Sequence, residues 1–200
     1  MADFDILVIG GGINGAGIAR DAAGRGLRVL LCERDDLAQA TSSASSKLVH
    51  GGLRYLEQYQ FRLVREALRE REVLLRVAPH IVEPLRFVLP HGANQRPGWL
   101  IRLGLAFYDH LGARKILPAS RKVALRGTAL GLPLSSEVTF GFAYSDCRVD
   151  DARLVVLNAL DAASHGAEIR PRTAVTALRS VGGDWHATLR PQGSNQDETR

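Results

Sequence analysis

The residues best suited to chemistry lie early in the chain. Gly10, Gly12 and Gly15 form a G-x-G-x-x-G run between an apolar segment, FDILVIG, and a segment of helical character. Each glycine has a mechanical reason. Gly10 permits a tight turn, Gly12 lets backbone approach a pyrophosphate, and Gly15 lets a helix pack closely on a strand. A helix opening at Ile13 and Asn14 would aim free N–H groups and the positive end of its dipole at phosphates. Glu33 ends the next apolar run, 18 residues past Gly15 (33 − 15 = 18). A carboxylate there can accept hydrogen bonds from an adenosine ribose, and it disfavours a 2′-phosphate. Arg34 beside it is assigned to the same site. The motif marks a dinucleotide site but does not separate FAD from NAD.

These residues need a scaffold. FDILVIG and LRVLLCE read as short apolar strands of a parallel sheet buried on both faces, with a helix between them that stops at Gly24 or Gly26. Strand, glycine turn, helix and strand make one right-handed βαβ unit. Residues 60–78 carry apolar positions at helical spacing and stop at Pro79. PLRFVLP reads as a strand and Trp99 to Leu111 as a helix. Pro118, Gly127, Gly131 and Pro133 break residues 117–145 into loops and short strands. VDDARLVVLNALDAASHG is a second clear helix, capped by Asp150 or Asp151 and ended by Gly166. AEIRPRTAVTAL and WHATLRP read as strands of a small sheet, and PQGSNQDETR shows no packing pattern.

Composition bounds the function. The 200 residues are 46% hydrophobic and 24% charged, enough for a packed core and unlike a disordered chain. The net charge is +5, concentrated in residues 54–126, where fourteen Lys and Arg face six Asp and Glu. That excess suits an anionic small substrate or membrane surface, and no Lys/Arg run points to nucleic acid. Two separated cysteines, Cys32 and Cys147, argue against a disulfide framework or a metal site. No apolar stretch reaches spanning length, so the expected location is cytoplasmic or on one membrane face.

A resemblance adds to this reading. GGGINGAGIARDAAGRG and DLAQATSSASSKLVHGGLRYLEQYQFRLVREALREREVLL, then RFVLPH, YDHLG and YSDCRVDDARLV, resemble the amino-terminal part of the flavin-dependent, quinone-linked glycerol-3-phosphate dehydrogenases. These belong to the glycine-oxidase-like group of FAD enzymes. The resemblance runs to about Leu178. It implies FAD as cofactor, with the loop hydroxyls of Thr41, Ser42, Ser43, Ser45 and Ser46 around its pyrophosphate and ribityl chain. Short polar side chains with nearby backbone N–H groups suit anionic oxygens. It places His50, Gly51 and Gly52 beside the isoalloxazine, and Val175 near the adenine through its backbone. Arg54 and Tyr55 become substrate contacts, and arginine suits a phosphate.

The implied fold is α/β: a Rossmann-like FAD-binding domain with a parallel sheet and flanking helices, plus an inserted α+β substrate lobe. The expected division is 1–80 and 146–200 for the FAD-binding domain and 81–145 for the lobe. The implied reaction oxidises glycerol 3-phosphate to glycerone (dihydroxyacetone) phosphate and passes electrons to a membrane quinone. His50 is the candidate base, since histidine titrates near neutrality. The enzyme would sit peripherally on the inner face of the cytoplasmic membrane. Arg102, Arg114 and Lys115, beside Trp99 and Phe107, are candidates for docking there. A homodimer is one option for the full-length enzyme. The chain reads as truncated. The alternatives are an FAD enzyme acting on an amine or another hydroxy acid, or an inactive FAD-binding fragment. An ordinary nicotinamide dehydrogenase is disfavoured by the Ser-rich loop followed by HGGLRYL.

Overall fold

The structure is a computed structural model that describes residues 3–92, 95–112, 115–194 and 196–200. Arg114 lies outside the described residues. Along the chain come β1 (Ile6–Ile9), α1 (Ile13–Gly24), β2 (Val29–Cys32), β3 (Leu48–Val49), α2 (Phe61–Val77), β4 (Val82–His91) and α3 (Gly98–Leu111). Then follow β5 (Arg121–Ala124), β6 (Phe140–Val149), α4 (Asp151–Ser164), β7 (Glu168–Arg170), β8 (Thr173–Val181), β9 (Asp184–Pro191) and β10 (Glu198–Thr199). The chain divides into two compact units, Met1–Lys47 with Asp150–Arg200, and Leu48–Val149.

The first unit is built on a parallel sheet of order β1-β2-β7. All four residues of β2 are buried, as its unbroken apolar run requires. Its alternate residues face opposite ways. Val29 and Leu31 pack on Ala19, Ala22, Ala23 and Ala162 of α1 and α4. Leu30 and Cys32 pack on Ala187 and Leu189 of the antiparallel sheet β10-β9-β8. Helices therefore cover one face and a β-meander the other. The alanines matter because a small side chain lets two helices and a sheet approach closely. α1 stops at Gly26, whose φ of +84 is left-handed and whose neighbour Leu27 returns its N–H to the Ala22 carbonyl at 3.2 Å. Gly166 ends α4 the same way. The polar tail is not patternless: β10 pairs antiparallel with β9.

Both candidate caps of α4 are used, for different purposes. Asp150 accepts the Arg153 amide at 3.1 Å and caps the helix. Asp151 instead holds the Ser-rich loop. Its oxygens accept from Lys47 Nζ at 2.6 Å and Ser45 Oγ at 2.7 Å. Lys47 adopts a left-handed φ of +55 on the way out of that loop.

The second unit is an antiparallel sheet of order β3-β6-β4, with β5 also on β6, and two helices packed with it. β4 and β6 pair over ten residues. The loops and short strands expected over residues 117–145 give way at Phe140 to one ten-residue strand, which the proline and glycine breakers before it and the lack of clean alternation in GFAYSDCRV conceal. The residues 48–80, expected with the first segment, cluster in this unit, because Val64 and Leu68 of α2 pack on Tyr108 of α3.

Two predictions follow from this packing. A Cβ at position 15 would lie 1.9 Å from the Gly10 carbonyl oxygen, whereas position 17 meets nothing within 4 Å. Gly15→Ala should destabilise by roughly 1–3 kcal/mol or more. Gly17→Ala should stabilise by about 0.5–1 kcal/mol, the usual gain in a helix interior. Urea denaturation of the two variants should give shifts of opposite sign. Secondly, hydrogen bonds from Lys47 and then Ser45 hold the Asp151 carboxyl down from 3.8 to about 2. A lowered folded pKa stabilises above the unfolded value and is lost as pH falls through the folded one. The stability gap between wild type and Asp151→Asn should therefore be full at neutral pH and close between pH 3.8 and about 2.

Candidate functional site

In the first unit the candidate residues gather where β1 and β2 end. Gly10 turns the chain with φ +113, and its N–H donates to the Cys32 carbonyl at 2.8 Å. Gly12 is the N-cap of α1. The first bond of the helical ladder is Ala16 N–H to Gly12 O at 2.9 Å. The amides of Ile13, Asn14 and Gly15 therefore lie outside the ladder and face the helix end. Ser42 Oγ accepts the Ile13 N–H at 2.9 Å. Its own hydroxyl proton then remains available to an anion placed at the same end.

Glu33 is held from two sides. Its oxygens accept the Gly11 amide at 2.7 Å and the Asp35 amide at 2.9 Å. A carboxylate has about four acceptor positions, so it keeps capacity for ribose hydroxyls. Gly12, Glu33, Arg34 and Ser42, with Asp35 and Gln39, line a cleft of about 340 Å³. Its acidic rim suits neutral hydroxyls and repels a 2′-phosphate. Arg34 is exposed and pairs with Asp35 at 3.1 Å. Gly11 escaped sequence analysis, yet a Cβ there would lie 2.7 Å from Leu37 and 2.8 Å from Glu33. An FAD adenosine and pyrophosphate fit this set of groups: helix-end amides, a small hydroxyl and a carboxylate with acceptor positions to spare.

The other loop hydroxyls are not equivalent. Ser43 Oγ donates to the Ala40 carbonyl at 3.2 Å, and Ser45 Oγ is turned to Asp151. Thr41 and Ser46 are exposed. Val175 sits at a β-bulge in β8, with its side chain packed against the cluster of Leu30, Cys32, Ala187 and Leu189. Both cysteines are buried, and burial pushes each thiol up to about 11. No metal-binding cluster occurs among the described residues.

His50, Gly51, Gly52, Arg54 and Tyr55 belong to the second unit. His50 and Arg54 are exposed, and both glycines are buried. Gly52 has φ +72, and the Tyr55 ring lies where a Cβ would be, at 2.4 Å. No other residue fits there without strain. A short 3-10 helix, Leu53–Gln58, then carries Arg54 and Tyr55. Beneath them lies a buried set of polar partners that no motif marks. Gly51 N–H donates to the Tyr108 hydroxyl at 2.8 Å, Tyr108 donates to Asp146 at 2.9 Å, and Arg71 donates to Asp146 at 2.5 Å. The signal in the sequence is their place in resembling segments: Tyr108 in YDHLG, Asp146 in YSDCRVDDARLV and Arg71 in REREVLL.

Comparison with known proteins agrees with this geometry. A family model described as FAD dependent oxidoreductase matches residues 5–199. A glycerol-3-phosphate dehydrogenase of Pseudomonas aeruginosa is 64% identical over 192 residues, covering 96% of this chain and 37% of that protein. A D-erythritol 1-phosphate dehydrogenase of Brucella abortus is 63% identical over 196 residues, covering 98% and 39%. The chain thus spans less than two fifths of the length of these relatives. Among solved structures, the glycerol-3-phosphate dehydrogenase of Bacillus halodurans, complexed with FAD, superposes with a TM-score of 0.70 at 28% identity, covering 98% of this chain and 32% of that one. With a G-x-G-x-x-G helix end and a family match over nearly its whole length, the chain belongs to the FAD-dependent oxidoreductases.

Proposed function

We propose that the protein carrying this chain oxidises glycerol 3-phosphate to glycerone phosphate and passes the electrons to a membrane quinone. The observation that carries the reading is the Gly12–Glu33–Ser42 cleft at the end of the first sheet, whose helix amides and carboxylate suit a dinucleotide. Relatives named for this reaction support it, at 64% identity in Pseudomonas aeruginosa and 60% in Escherichia coli. The Brucella abortus relative favours a second reading, D-erythritol 1-phosphate, at 63%. Both substrates are polyols with a terminal phosphate, so the same cationic anchor serves either.

The chain's own residues have separable tasks. The Asn14 amide and the Ser42 hydroxyl, itself fixed by the Ile13 N–H, would hold the pyrophosphate, and Glu33 the ribose. FAD, when bound, supplies the two-electron acceptor. Arg54 offers a planar fork to the substrate phosphate, a geometry that lysine lacks. His50 takes the proton from the hydroxyl being oxidised. Tyr55, over Gly52, shapes the approach to both.

Peripheral attachment to the inner face of the cytoplasmic membrane is part of the same proposal. No helix among the described residues is long and apolar enough to cross a membrane. Trp99, Leu103 and Phe107 are exposed on α3, and Arg102 flanks them. Aromatic and cationic side chains together suit a lipid interface. Leu103→Glu with Phe107→Glu should abolish co-sedimentation with anionic liposomes; unchanged binding would dispose of this docking face.

The decisive experiment is the visible flavin spectrum of the purified protein, recorded before and after anaerobic addition of each phosphate. Bleaching by glycerol 3-phosphate, with kcat/KM at least about 10-fold above that for D-erythritol 1-phosphate, supports the first reading. The reverse order assigns the second. A flavin band that neither compound bleaches refutes both. Within the first outcome, Arg54→Ala should raise KM about 10- to 100-fold, as expected for a lost charged hydrogen bond. His50→Asn should lower kcat by roughly 10²- to 10⁴-fold with flavin content unchanged. Near-normal turnover at saturating substrate would remove His50 from the base role.

A further inference from the structure

The segment proposed to meet substrate leaves its sheet abruptly. β3 pairs with β6 only at Leu48 and Val49. At Gly51 the backbone is buried and no strand accepts its N–H. A buried amide needs an acceptor, and α3 supplies it through Tyr108.

The direction of this chain of bonds is determined. Asp146 as a carboxylate only accepts, and it takes the Tyr108 hydroxyl proton at 2.9 Å. The Tyr108 oxygen must therefore present a lone pair to Gly51 N, at 2.8 Å. Arg71 fixes Asp146 in turn, with one guanidinium nitrogen bonded to the carboxylate at 2.5 Å and to the Ser145 carbonyl at 3.1 Å. Tyr108, Arg71 and Asp146 are only 2%, 3% and 4% exposed. Burial, and then the Asp146 charge, push the Tyr108 phenol far above its ordinary value, so it stays a donor throughout the working pH range.

Packing closes the remaining freedom. A Cβ on residue 51 would lie 2.4 Å from Leu68 and 2.8 Å from the Tyr108 hydroxyl. Arg71 Nε has no hydrogen-bond partner among the described residues. A buried ion pair that leaves one N–H unmet is poor value as stability alone, and such pairs are better attested as devices that specify one conformation.

We propose that Tyr108, oriented by Asp146 and Arg71, is a positioning residue: its hydroxyl holds the Gly51 amide and so sets the backbone that presents His50 and Arg54 to a phosphorylated polyol. This rests on the function proposed above for His50 and Arg54. Tyr108 touches neither reactant and acts through Gly51.

The test uses the FAD-loaded protein and Tyr108→Phe, which keeps the ring and deletes the hydroxyl. Amide hydrogen exchange reads Gly51 directly and needs no turnover. Its exchange should accelerate about 10- to 100-fold, the effect of leaving one buried amide unmet, while α2 core amides stay protected. Steady-state kinetics should show kcat falling by a similar factor, and KM rising as Arg54 shifts, with flavin content unchanged. Faster Gly51 exchange with normal kcat and KM would overturn the proposal, and so would unchanged exchange. If Tyr108→Phe does not fold, Asp146→Asn keeps the shape but no longer dictates the direction of the hydroxyl. It should give smaller changes of the same sign, and wild-type exchange and kinetics in that variant would equally overturn the proposal. A wild-type protein whose flavin neither phosphate reduces would refute the proposed function, while the Gly51 exchange result would stand separately.

Discussion

A single main-chain contact governs the first unit. The Gly10 carbonyl oxygen occupies the space that any side chain at position 15 would need. Only with glycine there can α1 start so close to the end of β1. That proximity brings the helix amides over the sheet edge where Glu33 emerges from β2. The alanines of α1 then settle against Val29 and Leu31 on one side and against α4 on the other. The cleft at the helix end is thus a consequence of close packing. The polar residues that line it have somewhere to point only because the glycines let the backbone approach.

The Ser-rich loop shows how composition alone misleads. A stretch such as ATSSASSK has the makeup of a flexible linker. Here it is tied at both ends of its polar sequence. Ser42 accepts from the first amide of α1, and Ser45 and Lys47 bind Asp151 at the start of α4. One loop therefore touches the starts of both helices that cover the sheet. Two serines that look alike in sequence have different work, one at the α1 helix end and one in an anchor.

The second unit uses a different principle. Its chemistry-bearing residues are exposed, and what organises them is buried. Arg71, Tyr108 and Asp146 come from α2, α3 and β6, and they converge under Gly51. The ion pair is costly to bury and its stabilising value is small. What it provides is a fixed direction of hydrogen bonding, which a purely apolar contact could not impose on a backbone amide.

The sequence by itself determined the βαβ unit, the glycine turn with an acid at the end of the next strand, the helices and the family. Each of these rests on local rules: strand burial, glycine φ, helical spacing and motif order act within about thirty residues. Even the helix stop at Gly26 and the cap at Asp150 are local events. Tertiary structure decided what local rules cannot reach. Asp151 became an anchor because Lys47, 104 residues away, arrives beside it. Tyr108 became the acceptor for Gly51 because α3 lies under a segment 57 residues earlier. β6 became the central strand of its sheet because β3, β4 and β5 all pair with it, although its own sequence carries no clean alternation. Spacing along the chain encodes a turn or a helix face, whereas the partner of a buried polar group depends on which distant elements fold against it.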